Sequence, residues 1–149
     1  MKYSLFLLFS VIICYEAESQ ISAKLMRYAD ISQTQIVFVY GGDLWLVERD
    51  GGTAMQLTHS PGEESYPRFS PDGTEIAYTA SYNGNLDVFT IPITGGLPKV
   101  ITNQSWPDRT IDWHPDGQSI LFASRREIGP RSSRQFFKVD REGGHAERL

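Results

Sequence analysis

The stretch Phe69-Ser70-Pro71-Asp72-Gly73-Thr74-Glu75-Ile76-Ala77-Tyr78 decides the fold, because its pattern returns as Trp113-His114-Pro115-Asp116-Gly117-Gln118-Ser119-Ile120-Leu121-Phe122, shifted by 44 residues. A fixed period of that size marks a stacked or radial repeat. Each copy predicts a hairpin. Pro71 presets φ for the first central position of a turn, Asp72 bonds its local backbone, and Gly73 accepts positive φ. The runs on either side are rich in aromatic and β-branched residues, which favour strands. Pro67 cannot donate to a ladder and so belongs at a strand start or an edge. Asp72 and Asp116 are read as turn formers, since nothing nearby supplies the further ligands a metal would need.

Working outward, three units follow. The first covers about 25–58, with strands at Ile36–Tyr40 and Asp43–Val47, turns at Gly41-Gly42 and Asp50-Gly51-Gly52, and a closing piece, Ala54–Thr58. Its first turn is degenerate, with Asp30-Ile31-Ser32-Gln33 standing where the other copies carry Pro-Asp-Gly. The second covers about 59–102, with strands at Tyr66–Ser70, Glu75–Ala80, Leu86–Ile91 and Pro98–Thr102. The third covers about 103–149, with strands at Arg109–Trp113, Ser119–Ser124, Gln135–Val139 and a last piece ending at Leu149. Four extra residues fall in its polar second turn, Arg125 to Arg134, where lengthening costs little.

Aligned positions agree in chemistry. Trp45, Phe89 and Phe137 coincide, and so do Val47, Ile91 and Val139 two residues further on, on the same face of each strand. Four short antiparallel strands per 44 residues is the signature of propeller blades. The fold class is therefore all-β: a partial β-propeller of about three four-stranded blades from a ring of six or seven. Three blades do not close a ring, so the end blades are expected to expose faces of the Trp45 and Phe137 type and to make the isolated chain poorly soluble. A chain ending at a repeat boundary reads as part of a longer protein or of an assembly.

Residues 1–19 read as a secretory signal, with Lys2 ahead of the apolar run Leu5–Ile13 and small residues at Ala17 and Ser19, which places cleavage before Gln20. The run is short for a membrane span, and bulky Ile13 argues against lipidation of Cys14. Cys14 is the chain's only cysteine, so a chain cleaved before Gln20 has neither disulfides nor a cysteine metal site. Net charge is −4 and pI about 5.3, against a dedicated nucleic-acid binder. Removing Lys2, Glu16 and Glu18 with the signal brings the charge to −3.

Leu25-Met26-Arg27-Tyr28-Ala29-Asp30-Ile31 followed by Ile36–Trp45 resembles the start of the mature tricorn protease family. Pro67–Gly73, Tyr82–Val88 and Gly95–Thr102 continue the likeness, which extends over about 20–149. The Ser-Pro-Asp-Gly repeat alone is shared with TolB-like periplasmic propellers and with the propellers of prolyl oligopeptidases. Ala29 stands where relatives are expected to carry proline. The resemblance implies a secreted or periplasmic serine peptidase in which this propeller scaffolds or gates peptide access. The expected partners are the remainder of the same polypeptide (further blades, a PDZ-like domain and a peptidase domain) and peptide substrates. Nucleic acid, and the membrane after signal cleavage, are not expected, and a homo-oligomer is left open. The family's nucleophile and histidine lie far C-terminal, and no position here corresponds to them. The alternative is a non-catalytic TolB-like propeller that binds protein partners.

No catalytic, cofactor-binding or metal-binding residue is assigned. His59, His114 and His145 lack a second ligand at metal spacing. There is no Gly-x-Ser-x-Gly elbow and no phosphate-binding loop. Glu63-Glu64 form an acidic pair that reads as a solvated connection, although acid/base pairing is the other reading. Arg125, Arg126, Arg131 and Arg134 cluster in the long turn. They read as a solvated loop, with contact to an acidic peptide or another domain as the alternative.

Overall fold

The computed structural model describes residues 25–126 and 133–149, so the signal segment, Cys14 and Arg131 lie outside the described residues. Three four-stranded antiparallel sheets follow one another along the chain. The first holds β1 (Arg27–Ile31), β2 (Gln35–Tyr40), β3 (Asp43–Glu48) and β4 (Met55–Gln56). The second holds β5 (Glu64–Phe69), β6 (Glu75–Ala80), β7 (Asp87–Pro92) and β8 (Lys99–Val100). The third holds β9 (Arg109–Trp113), β10 (Ser119–Ser124), β11 (Gln135–Asp140) and β12 (Glu147–Arg148). Each strand pairs only with its sequence neighbours, the up-and-down order of a propeller blade.

The Pro-Asp-Gly turns close as their residues dictate. Gly73 N–H donates to Ser70 O at 2.8 Å and Gly117 N–H to His114 O at 2.9 Å. Both glycines sit in the left-handed region, at φ 71° and 68°, where a Cβ would be strained. The Asp72 carboxylate accepts from Ser70 Oγ (2.6 Å), Thr74 N–H (3.1 Å) and Thr74 Oγ1 (2.8 Å). Those donors favour its charged form and pull its pKa down to about 2. In the degenerate first copy Ser32 stands where Ser70 does, its Oγ accepting from Gln35 N–H at 2.9 Å as Ser70 Oγ accepts from Glu75 N–H at 3.0 Å.

The sheets pack face to face. Val37, Val39, Leu44 and Leu46 of the first blade bury against Phe69, Ile76, Tyr78, Phe89 and Ile91 of the second. The other face of the second blade, Ala77 and Val88, meets Trp113, Ile120, Phe122, Phe137 and Val139 of the third. Strand alternation makes this possible, because successive residues serve opposite seams. Burying each large apolar side chain contributes about 1.5–3 kcal/mol.

One expectation is corrected here. Phe137 is not on an open face; it is 0 % exposed in the second seam. The uncovered face of the third blade carries Phe136, 57 % exposed. The uncovered face of the first blade carries Trp45 and Val47, both half-buried, as anticipated. Residues 45, 89 and 137 all look toward the preceding blade, so only the first of them lacks a neighbour.

Candidate functional site

Two features are built from equivalent residues of successive blades: a polar latch at each seam, and a stack along the innermost strands.

The latch at the first seam centres on Glu64. This residue is 2 % exposed and opens β5, so the solvated-connection reading holds for exposed Glu63 but not for Glu64. Leu44 N–H, on β3 of the preceding blade, donates to Glu64 Oε2 (2.9 Å) and to Thr58 Oγ1 (2.8 Å). The Thr58 hydroxyl donates to the same Oε2, the Tyr82 hydroxyl donates to Oε1, and Tyr82 and Tyr78 share a hydrogen bond of 3.0 Å. Among the described residues no cation bonds this carboxylate. Burial pushes its pKa above the ordinary 4.5, the three donors opposing that shift without cancelling it. Burial also drives the Tyr78 and Tyr82 phenols far up, so both stay neutral.

The second latch uses the positions 44 residues on. Val88 N–H donates to Thr102 Oγ1 at 2.9 Å, and Asp108 stands where Glu64 stood. Its backbone N–H donates to Leu86 O (2.7 Å), just as Glu64 N–H donates to Gly42 O (2.9 Å). Arg126 takes the place of Tyr82 and pairs with Asp108 Oδ2. Its guanidinium lies 4.6 Å from the Phe122 ring centroid and 5.4 Å from that of Phe137, which favours the cation. Aspartate is one methylene shorter than glutamate, and Asp108 Oδ1 is left buried with no partner. Arg126 is thus part of the seam, not of a solvated loop. Arg134 is exposed.

The innermost strands β1, β5 and β9 carry the second feature. Both β1 and β5 have an extra residue opposite β2 and β6, and there Tyr28 and Tyr66 adopt φ 53° and 55°. Such backbone is uncommon outside glycine and costs of order 1–3 kcal/mol. The two rings lie 4.3 Å apart, and the Arg109 guanidinium lies 3.8 Å from the Tyr66 centroid. One group from each blade therefore joins a single column. A cleft of about 430 Å³ opens beside it, lined by Arg27, Tyr28, Glu63, Ser65, Tyr66 and Leu86 among others. At the hairpin end a wider cleft of about 610 Å³ is bordered by Asp30, Arg49, Asp72 and Asp112. Phe69 N–H donates to Asp30 Oδ2 (2.8 Å), Arg68 Nε to Ile111 O (3.0 Å) and Trp113 Nε1 to Arg68 O (3.0 Å), tying the inner strands to one another.

The histidines do not converge. His59 and His145 are exposed, and His114 pairs with Asp116 of its own turn at 2.9 Å. Among the described residues no group of three or more His, Cys, Asp or Glu could hold a metal.

Residues 23–149 match the family described as the tricorn protease N-terminal beta propeller domain. The chain belongs to this family. The tricorn protease homolog 2 of Streptomyces coelicolor is 34% identical over 130 residues, which is 83% of this chain and 11% of that protein. The crystal structure of the tricorn protease superposes with a TM-score of 0.66 at 25% identity, covering 80% of this chain and 12% of that one. The TolB of Acinetobacter baumannii superposes with a TM-score of 0.63 at 28% identity, over 78% and 29%. This tricorn-type propeller chain spans about a tenth of the length of the two Streptomyces coelicolor tricorn homologues it matches.

Proposed function

We propose that this propeller is the N-terminal portion of a secreted or periplasmic tricorn-like serine peptidase, where it scaffolds or gates the passage of peptides toward a catalytic domain carried elsewhere in the polypeptide. The observation that carries the reading is the family match over residues 23–149 to a domain named for its place at the N-terminus of a protease. The inner strands offer what a passage for peptides needs: aromatic faces at Tyr28 and Tyr66, a cation at Arg27 or Arg109, and a cleft beside them. No residue of this chain is assigned as a nucleophile, and chemistry is assigned to the rest of the protein. Export follows from residues 1–19, with cleavage before Gln20.

The reading frame beyond Leu149 is expected to encode a PDZ-like segment and a peptidase domain, and the purified 149-residue chain is expected to leave peptides uncut. A reading frame that closes the propeller and then stops contradicts the proposal. It favours instead a non-catalytic propeller that binds envelope proteins, the reading supported by the likeness to TolB. Intact mass of the exported protein tests the leader, with Gln20 expected as its first residue.

A further inference from the structure

We infer that the uncovered face of the third blade is a docking surface for one more four-stranded blade, and that this blade is held by a third copy of the latch: a hydroxyl residue directly after Leu149 and a carboxylate six residues beyond it. The inference rests on the reading above, in that the blade is supplied by the same longer polypeptide.

The third blade repeats the receiving half of the latch. Leu57 N–H donates to Leu44 O (2.8 Å), Ile101 N–H to Val88 O (2.9 Å) and Leu149 N–H to Phe136 O (3.0 Å). Phe136 therefore occupies the place of Leu44 and Val88. In the first two blades the amide at that place is capped by a threonine 14 residues later. The acid follows 20 residues after that amide, at Glu64 and Asp108. Both intervals are the same in both seams although the pairing partner changes from Tyr82 to Arg126, so the spacing belongs to the backbone path and not to the partner. Among the described residues no side chain accepts from the Phe136 amide. The insertion in the third blade lies before Phe136 and leaves the count after it unchanged.

The surface around that amide is made for a blade rather than for water. Leu121, Ala123 and Phe136 align with Val37, Val39 and Leu44, the residues with which the first blade receives the second. Phe136 is more than half exposed, while Leu44 is fully buried. The occupant must bring an apolar face like that of Ile76, Phe89 and Ile91. It must also bring the acid, while the hydroxyl completes the third blade itself, since an amide buried without an acceptor is costly.

The encoded sequence after Leu149 gives the first reading. Serine or threonine at the next position and aspartate or glutamate six residues further on is the expected result. Any other residue at either place overturns the latch. Amide exchange gives the second. In the full-length protein the Phe136 amide should exchange as slowly as those of Leu44 and Val88, and replacing the new acid by alanine should speed it about tenfold or more while Leu44 stays slow. An unchanged rate overturns the proposal, and so does a Phe136 amide protected by a second copy of the chain. Loss of the peptidase domain from the reading frame would refute the functional reading while leaving the latch standing; a missing acid does the reverse.

Discussion

At the first seam the Glu64 carboxylate is held by three neutral donors, whereas at the second the Asp108 carboxylate faces the guanidinium of Arg126. Glutamate reaches the amide of the preceding blade and shares it with threonine. Aspartate falls short, leaves that amide to Thr102 alone, and keeps one oxygen without a partner. The fold demands only that an acid arrive at this point and be neutralised or bonded. A phenol meets the demand at one seam and a cation at the other. The two solutions differ in how they fail, because removing one member of a buried ion pair strands a charge, while removing one member of a neutral network strands a dipole.

The largest effect is therefore expected at the second seam. Asp108→Ala leaves the half-buried Arg126 without its counter-ion and should cost about 3–5 kcal/mol by urea denaturation. If Asp108→Ala is no worse than Glu64→Ala, the contrast between the seams is wrong. Glu64→Gln keeps an acceptor but puts an amide beside donors, and should cost about 1–3 kcal/mol. Tyr82→Phe removes a single donor from Glu64 and should cost about 1 kcal/mol, the smallest of the three.

The first seam also responds to pH. Glu64 has its pKa raised by burial, so between 4.5 and its raised value the folded chain holds a proton that the unfolded chain has lost. Stability from this site is fully present below 4.5 and falls as pH rises through that window. Glu64→Gln should flatten that slope in a series of melts. Asp72 behaves in the opposite sense. Its contribution is present above its ordinary 3.8 and fades as pH falls toward about 2. A wild-type slope that survives in Glu64→Gln would move the titration to another group, Asp87 being the next acid raised by burial.

The hairpins and strands were legible in the sequence because Pro71, Asp72 and Gly73 each act locally. The strand pattern from β5 to β12 follows from those turns and from period-2 alternation. The latch is harder to see in the sequence, although its signal is there: the positions of Thr58, Glu64 and Tyr82 return as Thr102, Asp108 and Arg126 at the same shift of 44. An acid in a connection reads as solvated when its partner, the Leu44 amide, belongs to another blade 20 residues earlier. The aromatic faces were half-legible. Alternation places Phe136 and Phe137 on opposite sides, but which side looks toward the preceding blade depends on the hand of the whole arc. The positive φ of Tyr28 and Tyr66 had no local cause in the sequence, since it comes from the extra residue opposite β2 and β6.

Thiol labelling of two single variants, Phe136→Cys and Phe137→Cys, made with Cys14 replaced by serine, tests the face-to-face arrangement most directly. In the 149-residue chain the thiol at 136 should react at the rate of an open surface group, and the one at 137 should stay protected until the second seam unfolds. Equal rates at the two adjacent positions would mean that the blades do not pack by alternate faces, and the propeller account would fail.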